Sequence, residues 1–194
     1  DGFGASNQSQ SSAGTVALTT TADNSAVVVF IGDWDAADGS SRVWATVNGV
    51  TPTAGNGYER VYSQVASHYT VYGAYYPDTG TAGSKTVGIT TPSSGTFTVL
   101  AVEVLGSTSE FVAEFVAEYE TSTWDTTTTP QSVTATTAPG DLLVVAGLAE
   151  ARTATLGTPT GNSLTYTAQQ AAVPVGWGAA YLWTAPDPTG GAGW

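Results

Sequence analysis

The stretch TTTADNSAVVVF at residues 19–30 decides the reading of the chain. It joins a Thr-rich run to an apolar β-branched run through Ala-Asp-Asn-Ser. Threonine and valine are stiff at χ1 and fit a pleated strand, whereas Asp and Asn bond to their own backbone and favour turns. The stretch therefore predicts strand, tight turn, strand. Working outward, similar runs recur at residues 15–21, 42–50, 59–66, 69–76, 85–91 and 96–106, with Gly, Pro, Asn or Asp between them. Short strands spaced in this way predict an all-β protein, an antiparallel β-sandwich or barrel.

The same order of signals returns later. ATTAPGDLLVVA at residues 135–146 matches 19–30, TPTGNSLTY at 158–166 matches TVNGVTPTAGNGY at 46–58, and AAYLWTAPDPTGGAG at 179–193 matches YGAYYPDTGTAG at 72–83. Three matches in one order point to internally repeated halves, although β-rich, Thr-rich chains share much at this level. The division that follows is a flexible Ser/Gln/Gly-rich N-terminal arm at residues 1–13 and a sandwich at 14–194. Within the sandwich, 14–106 is the first half, 107–131 a connecting segment and 132–194 the second half. In the first half two more strands follow YYPDTG, and neither recurs before Trp194. The second half thus reads as an incomplete copy whose open edge is completed by further chain or by another chain.

Within the connecting segment, EFVAEFVAEYE at 110–120 carries Phe111, Phe115 and Tyr119 at helical spacing, but Glu110, Glu114 and Glu118 share that spacing and repel. It also alternates as a strand, which is the preferred reading.

Hydrophobic content of 41% excludes a disordered chain, and with only 10% charged residues the surface must be largely neutral. Arg42, Arg60, Lys85 and Arg152 stand against sixteen acidic residues, so a net charge of -12 repels phosphate backbones and anionic lipid. No apolar run reaches the ~20 residues of a membrane helix, and a soluble chain is expected. The absence of cysteine removes disulfides and thiolate chemistry. The absence of methionine makes Asp1 read as a processed or trimmed start.

Few residues suggest chemistry. His68 is the only histidine, which rules out multi-His zinc sites and reads as a rim residue. Glu103 interrupts an apolar strand on the face of Phe97, Val99, Ala101 and Leu105. Buried there, it has the raised pKa of a glycosidase general acid. At a sheet end it reaches solvent or an arginine. Asp33, Asp35 and Asp38 crowd one loop before Gly39, as hard oxygen ligands for calcium or as an acidic turn, although the spacing departs from an EF-hand. Trp34, Trp44, Tyr75 and Tyr76 are the candidate glycan platform, with core packing as the plainer reading. Tyr75 and Tyr76 must face opposite ways if extended.

The strand GDLLVV at 140–145, the turn TPTGNSLTY and the closing strand VLAVEVLG at 99–106 resemble virion surface proteins of tailed phages infecting actinobacteria. These are minor tail proteins and capsid decoration proteins with jelly-roll-like domains. The resemblance implies a jelly-roll-like sandwich and a non-enzymatic role in assembly or host adhesion at the virion surface. Its implied partners are other virion proteins, copies of the same chain, or a host cell-surface glycan. It carries over no catalytic residue and no cofactor. The alternatives are a carbohydrate-binding module of a tail tip or secreted protein and, behind that, a glycoside hydrolase.

Overall fold

The computed structural model describes residues 2–33, 43–52, 58–63, 70–90, 96–106, 136–149, 156–161, 163–172, 179–187 and 189–192. These form an all-β protein whose strand pairs are all antiparallel.

The apolar half of the opening stretch is β3 (Ala26–Asp33), and the run at 96–106 is β8 (Phe97–Leu105). They pair in register, with Val29 opposite Ala101 and Phe30 opposite Leu100. With β1 (Gly2–Ser11), β6 (Thr70–Tyr76) and β5 (Tyr58–Ser63) they form a five-stranded sheet in the order β1-β8-β3-β6-β5. A second sheet holds β2 (Thr15–Thr20), β7 (Gly83–Thr90) and β4 (Val43–Trp44) in the order β2-β7-β4. Later in the chain, β10 (Asp141–Ala149), β12 (Ala179–Asp187) and β11 (Thr167–Ala172) form a sheet in the order β10-β12-β11. The short β9 (Thr136–Thr137) and β13 (Gly191–Ala192) pair as a ribbon.

Alternation along β3 sorts the packing. Val27, Val29 and Ile31 meet Val16 and Leu18 of β2 and Val87 and Ile89 of β7 in one cluster. Val28 and Phe30 point the other way and join Leu100 and Val102 of β8, Ala180 and Leu182 of β12, and Val144 of β10. The five-stranded sheet is thus covered on both faces, which is why β8 is buried from Phe97 to Val104 and why its sequence is apolar apart from Thr98 and Glu103. Full burial of each Val, Leu or Ile contributes ~1.5–3 kcal/mol, so these two strands dominate the core.

Two expectations need correction. The Ser/Gln-rich start is a strand rather than an arm: Gly2–Ser11 is β1, paired with β8 from Gly2 opposite Leu105 to Ser11 opposite Phe97. Ladder hydrogen bonds are made by backbone, so the exposed edge of β8 recruits a polar segment that composition alone assigns to a linker. Side chains reinforce it, since Asn7 Nδ2 donates to the Ala17 carbonyl at 2.6 Å and Gln170 Nε2 donates to Ser6 Oγ at 2.9 Å. The run at 42–50 is not one strand either. Only Val43–Trp44 pairs with β7, and Asn48 (φ 48°) and Gly49 (φ 76°) turn a tight hairpin between Val47 and Val50.

Candidate functional site

The strongest polar constellation in the core is built on Glu103. It lies on β8 opposite Val27, on the face of Val99 and Ala101, and is fully buried. A carboxylate there needs donors, and backbone supplies them. Oε1 accepts from the Thr21 and Ala22 amides at 2.9 and 3.1 Å. Oε2 accepts from the Ala5 amide at 2.9 Å and the Thr21 hydroxyl at 2.8 Å. Burial alone raises the carboxyl pKa, but the bonds from Ala5, Ala22, Thr21 and Ser25 outweigh it and hold the group below its ordinary value. Glu103 is therefore an ionised anchor that ties β1 and the β2–β3 turn to β8. A general acid needs the opposite shift, and the buried side chain does not reach solvent.

The strand β1 is shaped around this carboxylate. Its register with β8 shifts between Phe3 and Ser6, so Gly4 and Ala5 together stand opposite Glu103 as a bulge. The bulge aims the Ala5 amide at Oε2, and Gly4 has no side chain because a Cβ there would run into the Glu103 carboxylate.

A second buried carboxylate, Asp187, closes β12. Its Oδ1 accepts from the amides of Thr189 and Gly190 at 3.0 and 2.8 Å, and its Oδ2 from the Thr137 hydroxyl at 2.5 Å. The Thr137 bond is the largest influence; with the turn amides it holds the carboxyl below its ordinary value against the cost of burial. Asp78, at the matching Pro-Asp-Thr segment, likewise accepts from the Gly80 amide at 2.7 Å. Gly80 (φ 71°) and Gly190 (φ 65°) end these two turns in the left-handed region. The sequence signal for both aspartates is an Asp shortly before Thr-Gly.

The glycan candidates lie in the core where they can be seen. Trp44, Tyr75 and Tyr76 are buried, and Trp44 packs edge-on against Tyr72 with ring centroids 6.3 Å apart. Tyr76 donates from its hydroxyl to the Ala45 carbonyl at 2.9 Å. Tyr75 and Tyr76 do face opposite ways, into separate clusters, and burial raises the pKa of both phenols. Sugar stacking needs an open ring face, which these three lack. The reason is packing: rings this large, in strands covered on both sides, bury more area than any other side chain. Trp34 lies outside the described residues.

Asp33 is buried at the end of β3, and Asp35 and Asp38 of the proposed calcium loop lie outside the described residues. Among the described residues no group of three or more His, Cys, Asp or Glu is placed to hold a metal ion. His68 and the 110–120 segment also lie outside them. An open polar groove of about 450 Å³ runs between the Val47–Val50 hairpin and β7, lined by Thr46, Asn48, Thr81, Ser84, Lys85 and Thr86 among others. No helix among the described residues is long and apolar enough to cross a membrane.

Comparison of the chain with protein-family models, with curated proteins and with solved structures finds no match in any of the three.

Proposed function

We propose that this chain is a non-enzymatic structural module of a virion surface, of the minor tail or capsid decoration kind, acting in assembly or host adhesion. The observation that carries the reading is the pairing plan of the first eight strands. The first pairs with the last, the second with the next to last and the third with β6, as in one long hairpin rolled up. The orders β1-β8-β3-β6-β5 and β2-β7-β4 support a jelly-roll-like winding through the first three pairs, while β5 lies beside β6 rather than β4. The later strands retrace part of that plan: β9 pairs with β13 as β2 does with β7, and β10 pairs with β12 as β3 does with β6. This supports a second, shorter copy of the same unit.

The side chains favour scaffold over chemistry. Glu103 and Asp187 spend their oxygens on turns of their own chain, so a glycosidase reading loses its candidate acid. The carbohydrate-binding alternative keeps only Trp34 of its four aromatic candidates. Fold alone does not choose a function, so the test must be direct. Peptides of this chain should be recovered in many copies from purified tailed-phage particles, and the isolated chain should bind nothing on a glycan array. Specific glycan binding there would transfer the function to the carbohydrate-binding class.

A further inference from the structure

The strand β1 touches both layers that cover the five-stranded sheet, and its bulge decides which side chains meet which layer. Directly opposed residues of an antiparallel pair share a face. Ser6 stands opposite Val102 and Phe3 opposite Val104, on the face turned towards the β10-β12-β11 sheet. There Phe3 joins the cluster of Leu100, Val102, Ala180 and Leu182. Asn7, opposite Ala101, lies on the other face and reaches the Ala17 carbonyl of β2. Phe3 and Ser6 are three residues apart, so strict alternation would set them on opposite faces. The extra residue of the Gly4–Ala5 bulge brings both to one face. That bulge is the one Glu103 holds, through the Ala5 amide and the space left by Gly4.

What Ser6 meets is a second bulge. The register of β11 on β12 shifts between Ala168 and Gln170, which leaves Gln169 outside the ladder. The Gln169 carbonyl accepts from Ser6 Oγ at 3.2 Å, and Gln170 Nε2 donates to the same Oγ at 2.9 Å. Gln169 Nε2 in turn donates to Oγ1 of the buried Thr184 on β12 at 2.7 Å. A chain of hydrogen bonds thus runs from β1 through β11 to β12. Apolar packing between the two sheets is non-directional, whereas these bonds form in one register only. We propose that β1 is a strap: seated in the bulge that Glu103 fixes, it holds the β10-β12-β11 sheet on the five-stranded sheet, and unseating it lets that sheet lift away. Glu103 is then a positioning residue for a contact it does not itself touch. Lifting bares Phe30, Leu100 and Val102 on one side of the seam and Ala180 and Leu182 on the other. The inference rests on the contacts of β1 and is independent of the virion reading.

The chain lacks cysteine, so one introduced thiol reports on the seam between the sheets. Ala180 is buried in that seam, and Ala74 is buried in the core on the other face of the five-stranded sheet. In the full chain carrying Ala180→Cys, Gly4→Ala and Ser6→Ala should each raise the rate of labelling by a thiol reagent about tenfold, as expected for the loss of one or two hydrogen bonds. The same two changes should leave the labelling of Ala74→Cys nearly as it was. Where Ala180→Cys does not fold, Val102→Cys on β8 reads the same seam. Unchanged labelling at the seam in either the Gly4→Ala or the Ser6→Ala protein overturns the proposal. An equal rise at Ala74→Cys also overturns it, because the variants would then loosen the whole fold and not the seam.

Discussion

The turn between β2 and β3 and the turn between β9 and β10 begin from similar sequence, Thr-Ala-Asp-Asn-Ser and Thr-Ala-Pro-Gly-Asp, and are held in different ways. In the first, the Thr21 and Ala22 amides donate to Glu103, which arrives from a strand 82 and 81 residues away. In the second, the Ala138 amide donates at 2.7 Å to Asp141, three residues on. Asn24 (φ 55°) and Gly140 (φ 95°) fill the same left-handed position in the two turns. The Thr21 and Ala22 amides find their acceptor only when β8 is in place, whereas the Ala138 amide finds one inside its own turn, and β12 adds the Asp187 carbonyl as acceptor for the Gly140 amide at 2.6 Å. The same local geometry can therefore be fixed by tertiary structure or by the turn's own side chain, and the two choices fail differently.

Replacing the distant acceptor gives the largest expected effect. Glu103→Ala removes the acceptor of three part-buried backbone amides and opens a cavity, so denaturant unfolding should show a loss on the order of 3 kcal/mol. Glu103→Gln keeps the volume but turns an acceptor-only group into one that also presents donors to those amides, and should cost ~2 kcal/mol. The pH dependence follows from the lowered pKa of Glu103. The carboxylate's contribution is present above its ordinary value of 4.5 and is lost as pH falls through the lower folded value. The stability of the native chain should therefore hold from neutrality down to about pH 4.5 and decline as pH falls from there through the folded value. Glu103→Gln should flatten this decline.

Gly4→Ala sharpens the contrast from the β1 side. The added methyl collides with a carboxylate that cannot move without releasing its amides, at a cost of ~1–3 kcal/mol. Hydrogen exchange should accelerate across Gly2–Ser11 well before the core of β3 is affected. The smallest effect belongs to the local acceptor: Asp141→Ala removes one bond from an exposed side chain and should cost ~1 kcal/mol. If Asp141→Ala proved as damaging as Glu103→Ala, the distinction between the two turns would be wrong.

What could be read from the sequence follows the same division between local and distant causes. The strands β3 and β8 were legible because strands covered on both faces are apolar at most positions. The turns were legible because Asn, Asp and Gly carry their conformational preferences with them. The strand β1 was not, because its sequence describes only how it behaves alone, and the edge of β8 that orders it is supplied by residues 97–105. Glu103 stood out as an acid in an apolar strand, but its partners are backbone amides, which no residue letter announces. Trp44, Tyr75 and Tyr76 were marked by type, and only the packing of facing sheets decides that such rings are enclosed.

The pairing of β1 with β8 also fixes an order of events during synthesis. Gly2 cannot find Leu105 until residue 105 has left the ribosome, on the order of ten seconds after the first strand emerges at ordinary rates of translation. Throughout that interval β1 is an unpaired strand in a crowded solution. A conventional apolar strand in that position would be free to seek the wrong neighbour. The sequence GFGASNQSQS, with its serines and glutamines, lets the segment wait in water and still close the sheet last.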